Sequence, residues 1–215
     1  MNIYKYKRYF HDHLESEGVD LNNHFDISNL EKHAEADYAG VIKWSEDNVK
    51  NATVKHLVVR PFLPYSDLQE AAMAIDLGYC KENTTEINFG IEKEDDLALK
   101  QMLGDSYFST LGLDKETSLV RLLRYDPGTG IPLHRDSYNG FKSHFREFAK
   151  GRKITRYFTA VSPWCWGHFL QVHDNMIHHW NPGYTVEIPE GVFHLSANFG
   201  ISPKYSLTVT GYIND

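Results

Sequence analysis

Three observations predict a mainly β fold with helical decoration. The chain has 215 residues, a length at which an all-β unit with one buried core is commonly a single domain. Its second half alternates apolar runs with Pro/Gly turns. Its first hundred residues instead carry helix-start signatures. The expected organisation is therefore one domain over 1–215, with a helical and mixed part at 1–105 packing on a β core at 106–215.

In chain order, Ser28-x-x-Glu31 and Ser66-x-x-Gln69 have capping-box form. They predict helices from Leu30 to about Lys50 and from Leu68 to about Leu77. Between them His56 to Pro61 reads as a strand ended by proline. Glu94 to Leu103 is a third helix, stopped by Gly104. Leu30, Ala34, Tyr38, Val41 and Ile42 form an apolar stripe expected to face a core. Further on, Leu122 and Leu123 lead into the turn Asp126-Pro127-Gly128, and Tyr184 to Ile188 is a strand between the turns at Asn181-Pro182-Gly183 and Pro189-Glu190-Gly191.

The chemistry gathers around two of these strands. His134 and Asp136 form His-x-Asp, and an extended segment turns such alternate side chains to one face while Arg135 points away. His194 follows 58 residues after Asp136, and Lys204 and Ser206 lie ten and twelve residues beyond it. Two imidazoles and a carboxylate can hold a ferrous ion and leave coordination positions open. An isolated His-x-Asp is weak evidence. The kinase loop that also begins His-Arg-Asp needs an Asn five residues after the Asp, where this chain has Phe141.

From about Leu119 to Tyr212 the chain resembles the iron(II)- and 2-oxoglutarate-dependent dioxygenases, on His134, Asp136, the long gap, His194 and then Lys204. Tyr125-x-x-Gly-x-Gly resembles the prolyl-hydroxylase-like members, whereas Trp180-x-x-Gly183, Asn198 and Arg156 resemble the aspartyl/asparaginyl β-hydroxylase branch. The resemblance implies a double-stranded β-helix, a cupin-like jelly roll, with the N-terminal helices packed outside. It implies Fe(II) on His134, Asp136 and His194, with O2 as oxidant and ascorbate as a candidate accessory reductant. It further implies 2-oxoglutarate held by Lys204 and Ser206, with Arg156 and then Tyr125 as additional contacts. Most relatives have Arg where this chain has Lys204, a point charge without the bidentate fork. Asp136 retains the carboxylate that related halogenases lack, which favours hydroxylation.

The chain carries a net charge of −7, yet residues 121–156 hold nine basic residues against three acidic ones. That basic stretch brackets His-x-Asp and is expected to attract anions. Phe141, Phe145 and Phe148 recur at helical spacing within it, marking an amphipathic insert that is either a lid or plain packing. Among the twelve histidines, His11 and His13 lack a partner at ligand spacing, His178 and His179 form a pair near the distal region, and His168 and His173 are pocket candidates. Cys80 and Cys165, too few for a disulfide framework, and an N-terminus without an apolar signal core point to a cytoplasmic protein without a membrane span.

The expected activity is hydroxylation of a free amino acid or similar small, possibly anionic, metabolite, with succinate and CO2 released. The alternatives are a hydroxylase of a protein side chain, a zinc hydrolase and a non-catalytic cupin-like binding module. A nucleic-acid substrate is disfavoured by the overall acidity and the lack of an aromatic stacking series.

Overall fold

The structure is a computed structural model that describes residues 25–51, 58–61, 75, 78–80, 82–136, 138–148 and 151–213. Among the described residues eleven strands form two antiparallel sheets. They are β1 (Glu31–His33), β2 (Val58–Pro61), β3 (Thr85–Phe89), β4 (Leu119–Tyr125), β5 (Thr129–His134), β6 (Ile154–Ala160), β7 (His168–Val172), β8 (Asn175–Ile177), β9 (Tyr184–Ile188), β10 (His194–Asn198) and β11 (Lys204–Tyr212). The seven-stranded sheet has the order β1-β9-β6-β11-β4-β3-β2, and the four-stranded sheet β5-β10-β7-β8. From β4 onward the chain moves back and forth between the sheets, so that β4, β6, β9 and β11 face β5, β7, β8 and β10. This is the double-stranded β-helix.

The N-terminal part supplies edges as well as helices. β1 pairs with β9, and β3 joins β2 to β4. Helices α1 (Tyr38–Asn51) and α2 (Lys93–Leu111) cover the outside of the larger sheet. Val41 of α1, Leu99, Leu103 and Tyr107 of α2, and Val120, Leu122, Leu207 and Val209 of the sheet share one core. A second core lies between the sheets, with Phe158, Leu170, Val172, Val186 and Ile188. Fully burying each such aliphatic side chain contributes about 1.5–3 kcal/mol before entropy is counted.

The first helix starts later than Ser28-x-x-Glu31 implies. Ser28–Leu30 is one 3₁₀ turn, and Glu31 is drawn into β1, where its carboxylate accepts a hydrogen bond from Tyr184 at 2.7 Å. Asp37 sits at the actual start, accepting the Gly40 N–H at 2.9 Å. The apolar stripe keeps its role, since Ala34, Tyr38 and Val41 are buried and Leu30 and Ile42 pack beside cores. Gly104 does end the first part of α2 with φ 75°, but the chain resumes helix beyond it and stops at Gly112, φ 69°. Of the helix expected over 68–77 only residue 75 is described, as helical, and His56 and Leu57 lie outside the described residues. Tyr184 to Ile188 forms β9 with the expected bounds.

Two close approaches fix how these layers meet. A Cβ on Gly90, φ +93°, would fall 2.3 Å from the Val120 carbonyl, so β3 can turn into α2 only with glycine there. Gly183, φ +91°, likewise meets the Ala34 carbonyl at 2.3 Å where β1 crosses β9.

Candidate metal centre

β5 and β10 are neighbours in the smaller sheet, and their register pairs His134 directly with His194. Asp136 follows two residues beyond the end of β5. The ligating atoms of His134, Asp136 and His194 all lie within 4.8 Å of one another. Arg135, whose guanidinium lies 5.6 Å from the Phe193 ring, is not one of the three converging groups but also lines the cavity.

The donor set suits a divalent ion. His134 Nδ1 lies 2.8 Å from the Pro132 carbonyl and His194 Nδ1 3.0 Å from the Val192 carbonyl. Each ring is therefore oriented by the backbone two residues earlier, leaving Nε2 as its ligating atom. Burial above all, and the neighbouring His194, push the His134 imidazole down to about 3, so it is neutral at physiological pH. Burial works against the Asp136 carboxylate, but Arg156 and the two histidines outweigh it and hold the group well below the usual carboxylate range. Neutral imidazoles and an ionised carboxylate are the forms that bind metal.

Arg156, on β6, ion-pairs with Asp136 through Nη1 and donates from Nε to Thr210 Oγ1 at 3.0 Å. Its guanidinium lies 5.0 Å from the Tyr138 ring. Tyr138 has φ 52°, a conformation costly for a bulky residue, and its hydroxyl donates to the Ile188 carbonyl at 2.9 Å. The structure thus places Arg156 on the Asp136 carboxylate. Both Arg156 and Tyr138 also line the cavity that contains the triad, a space of about 1080 Å³.

Lys204 and Ser206 stand on the inner face of β11, behind the wall that Tyr125 and Ser196 give the cavity. The Lys204 ammonium donates to Ser196 Oγ at 2.6 Å and to the Phe169 carbonyl at 2.7 Å, with the Ala197 carbonyl at 3.4 Å. The rings of Tyr125, Phe158 and Trp180 surround it at 5.2, 5.4 and 5.5 Å. Burial pulls its pKa down to about 7. Ser206 Oγ is buried beside it without a hydrogen-bond partner. Tyr125 donates from its hydroxyl to Glu86 Oε2 at 3.0 Å.

No protein-family model matches this chain, and no curated protein matches it. Solved structures do. A prolyl-4-hydroxylase from Pseudomonas putida is 14% identical over 85% of this chain and 91% of its own, with a TM-score of 0.47. A cupin protein from Bacteroides fragilis is 15% identical over 46% of this chain and 68% of its own, TM-score 0.32. A conserved protein with a double-stranded β-helix domain from Klebsiella pneumoniae is 18% identical over 45% and 69%, TM-score 0.31.

The other sequence candidates separate. His168 is buried on β7 with Nε2 2.9 Å from the Ser202 carbonyl, and His173 stacks on Phe25 at 5.3 Å; neither lines the cavity. Asn198 is a clamp, donating to the Tyr125 and Ser202 carbonyls at 2.8 and 2.9 Å and accepting from Gly200 N at 2.9 Å. Trp180 donates to the Ser162 carbonyl at 3.2 Å. His178 and His179 pack around Trp164, and His11 and His13 lie outside the described residues.

The insert forms helix α3 (Asn139–His144) and a 3₁₀ turn at Arg146–Phe148. Phe141 packs against Tyr138, Ile154 and Tyr212, with Phe145 beside it, while Phe148 is exposed. Phe141 and Phe145 also line the cavity, so packing residue and cavity wall coincide here. The cavity is also lined by Glu86, Asn88, Tyr138 and Ser196, which no sequence motif marks, and by Arg121, the first residue of the basic stretch. Glu86 and Asn88 alternate with Ile87 and Phe89, a pattern that reads equally well as a strand with one wet face.

Proposed function

We propose that this protein is an iron(II)- and 2-oxoglutarate-dependent oxygenase that hydroxylates an unactivated C–H bond of a free amino acid or similar small metabolite. The observation that carries the reading is the convergence of His134, Asp136 and His194, with two backbone-oriented rings and one ionised carboxylate, at a cavity. Three protein ligands on one side leave positions open for a bidentate co-substrate and oxygen. The orphaned Ser206 hydroxyl beside the Lys204 ammonium fits a carboxylate, which accepts hydrogen bonds from both.

In this reading His134, Asp136 and His194 hold the iron, and Lys204 with Ser206 holds the distal carboxylate of 2-oxoglutarate. When bound, the iron would supply the activation of O2, the oxidant, with one oxygen atom going to the hydroxylated substrate and the other to succinate as the keto acid loses CO2. Arg156 keeps Asp136 ionised and fixes its orientation through the ion pair. Tyr138, whose ring lies 5.0 Å from the Arg156 guanidinium, covers one side of that ion pair and limits its contact with water, which strengthens it. Tyr125 and Ser196 separate the Lys204 ammonium from the open cavity, so the co-substrate must reach past them. The two free cysteines accord with a cytoplasmic protein, and no helix among the described residues is long and apolar enough to cross a membrane.

Decarboxylation of 1-¹⁴C-labelled 2-oxoglutarate tests this without knowledge of the substrate. Slow ¹⁴CO2 release that requires ferrous iron and disappears in Asp136→Ala is expected. Release that persists in the variant removes the oxygenase reading. The size of the cavity favours a second reading, a side chain presented by a protein, since about 1080 Å³ exceeds the need of one amino acid.

A further inference from the structure

β3 lies outside the eight strands of the β-helix, yet its inner face forms part of the cavity wall. Ile87 and Phe89 turn toward the helical core, and Glu86 and Asn88 turn toward the cavity, where they are 5% and 8% exposed. Asn88 Nδ2 donates to Glu86 Oε1 at 2.7 Å, which fixes the orientation of the amide. Tyr125 donates to the other carboxylate oxygen. Asn88 Oδ1 is left buried without a hydrogen-bond partner. Buried acceptors in this state are rare, and one on a cavity wall invites a ligand donor.

The neighbouring strand adds the opposite charge. Asn88 is in register with Leu123, and Arg121 stands two residues earlier on β4, on the same inner face. Arg121 donates from Nη1 to the Gly90 carbonyl, which ties its guanidinium to the end of β3. One wall of the cavity that holds the triad therefore presents a carboxylate, an unpartnered amide oxygen and a guanidinium side by side. An acceptor beside a carboxylate favours a cationic donor over a neutral one, and a guanidinium favours a carboxylate.

We infer that Glu86, Asn88 and Arg121 form the subsite for the zwitterionic end of a free amino acid, with the ammonium on Asn88 Oδ1 and Glu86 and the carboxylate facing Arg121. The inference rests on the oxygenase reading for the fate of that amino acid, and on the wall alone for its binding. It places substrate selection on β3, a strand the β-helix does not require.

Calorimetric titration of the full chain with each proteinogenic amino acid tests it, under argon with ferrous iron and 2-oxoglutarate and again without either. At least one free amino acid binds, its N-acetyl derivative and the corresponding 2-hydroxy acid bind at least tenfold more weakly, and Glu86→Gln and Asn88→Leu each raise Kd at least tenfold. Glu86→Gln preserves volume and hydrogen bonding, so its effect is not one of misfolding. Ferrous iron and 2-oxoglutarate affinities stay the same in both variants. The subsite is overturned if no amino acid binds, if the N-acetyl or hydroxy-acid compound binds equally well, or if neither variant changes Kd. Failure of the oxygenase reading looks different: 2-oxoglutarate does not bind to the iron-loaded native protein, whatever the amino acids do.

Discussion

The two faces of the seven-stranded sheet are made by the same strands and do opposite work. On β11, Tyr205, Leu207 and Val209 point outward into the helical core, while Lys204, Ser206, Thr208 and Thr210 point inward. On β4, Val120 and Leu122 pack outward, and Arg121 and Tyr125 face the cavity. The period of two residues per strand repeat separates packing from chemistry within one stretch of chain. The outer face is held mainly by apolar burial, and the hydroxyls set into it are paired, Tyr107 with Thr159 at 2.8 Å and Thr159 with Thr185 at 2.8 Å. The inner face keeps charged and hydroxyl groups buried, each oriented by a specific partner or, at Ser206 and Asn88, left with an atom lacking one. A one-residue slip of β11 would exchange the two faces, so this register is a condition of any function.

Substitutions on either face separate these roles. The largest effect is expected at the triad: His134→Ala and Asp136→Ala each weaken ferrous iron binding by more than about 100-fold, because even removal of a ligand's supporting partner costs about 10–100-fold. Full iron affinity in both variants, measured by anaerobic equilibrium dialysis, would falsify the metal assignment. On the outer face, Leu207→Ala destabilises the fold by about 2–5 kcal/mol in urea denaturation, while iron affinity per folded molecule is unchanged. A parallel loss of iron affinity would show that the two faces are not independent.

Lys204→Met is expected to weaken 2-oxoglutarate binding at least tenfold and leave iron binding intact. An unchanged affinity moves the anchor elsewhere, with Arg156 next. The smallest effect is a pH dependence at the same residue. With its pKa lowered from 10.5 to about 7 by burial, Lys204 is an ammonium below that value and loses its proton above it. Affinity for 2-oxoglutarate is then full below about pH 7 and falls above it, approaching tenfold per pH unit. Between about 7 and 10.5 the folded chain binds fewer protons at this group than the unfolded chain, so its contribution to stability rises with pH through that window. A flat affinity profile from pH 6 to 9 contradicts the role of the lysine charge.

Legibility in the sequence followed local pattern. β9 was readable from its flanking turns, and His134, Asp136 and His194 from spacing, because pairing of β5 with β10 brings His194 opposite His134. The start of α1 was misread because the Ser28 signal competes with the pairing of Glu31, Lys32 and His33 along β9, a tertiary contact that local propensity does not contain. Lys204 could be named from its distance to His194, but not its burial among three rings and three acceptors. The ion pair of Arg156 with Asp136 is not legible, since β6 and the end of β5 meet only through the fold. Of the wall formed by Glu86, Asn88 and Arg121, only Arg121 carries a sequence signal, as the first residue of the basic stretch expected to attract anions. Polar residues alternating on a strand read as solvent-facing until β3 is placed against β4.

The central claim is that the triad binds iron in a form that chelates 2-oxoglutarate. Its most direct test is anaerobic titration of the metal-free protein with ferrous iron and then 2-oxoglutarate, following the visible charge-transfer absorption of a keto acid chelated to iron(II). The account predicts a band that saturates with 2-oxoglutarate in the native protein and is lost in His134→Ala. Iron binding without the band would contradict it and bring the zinc-hydrolase or binding-module reading forward.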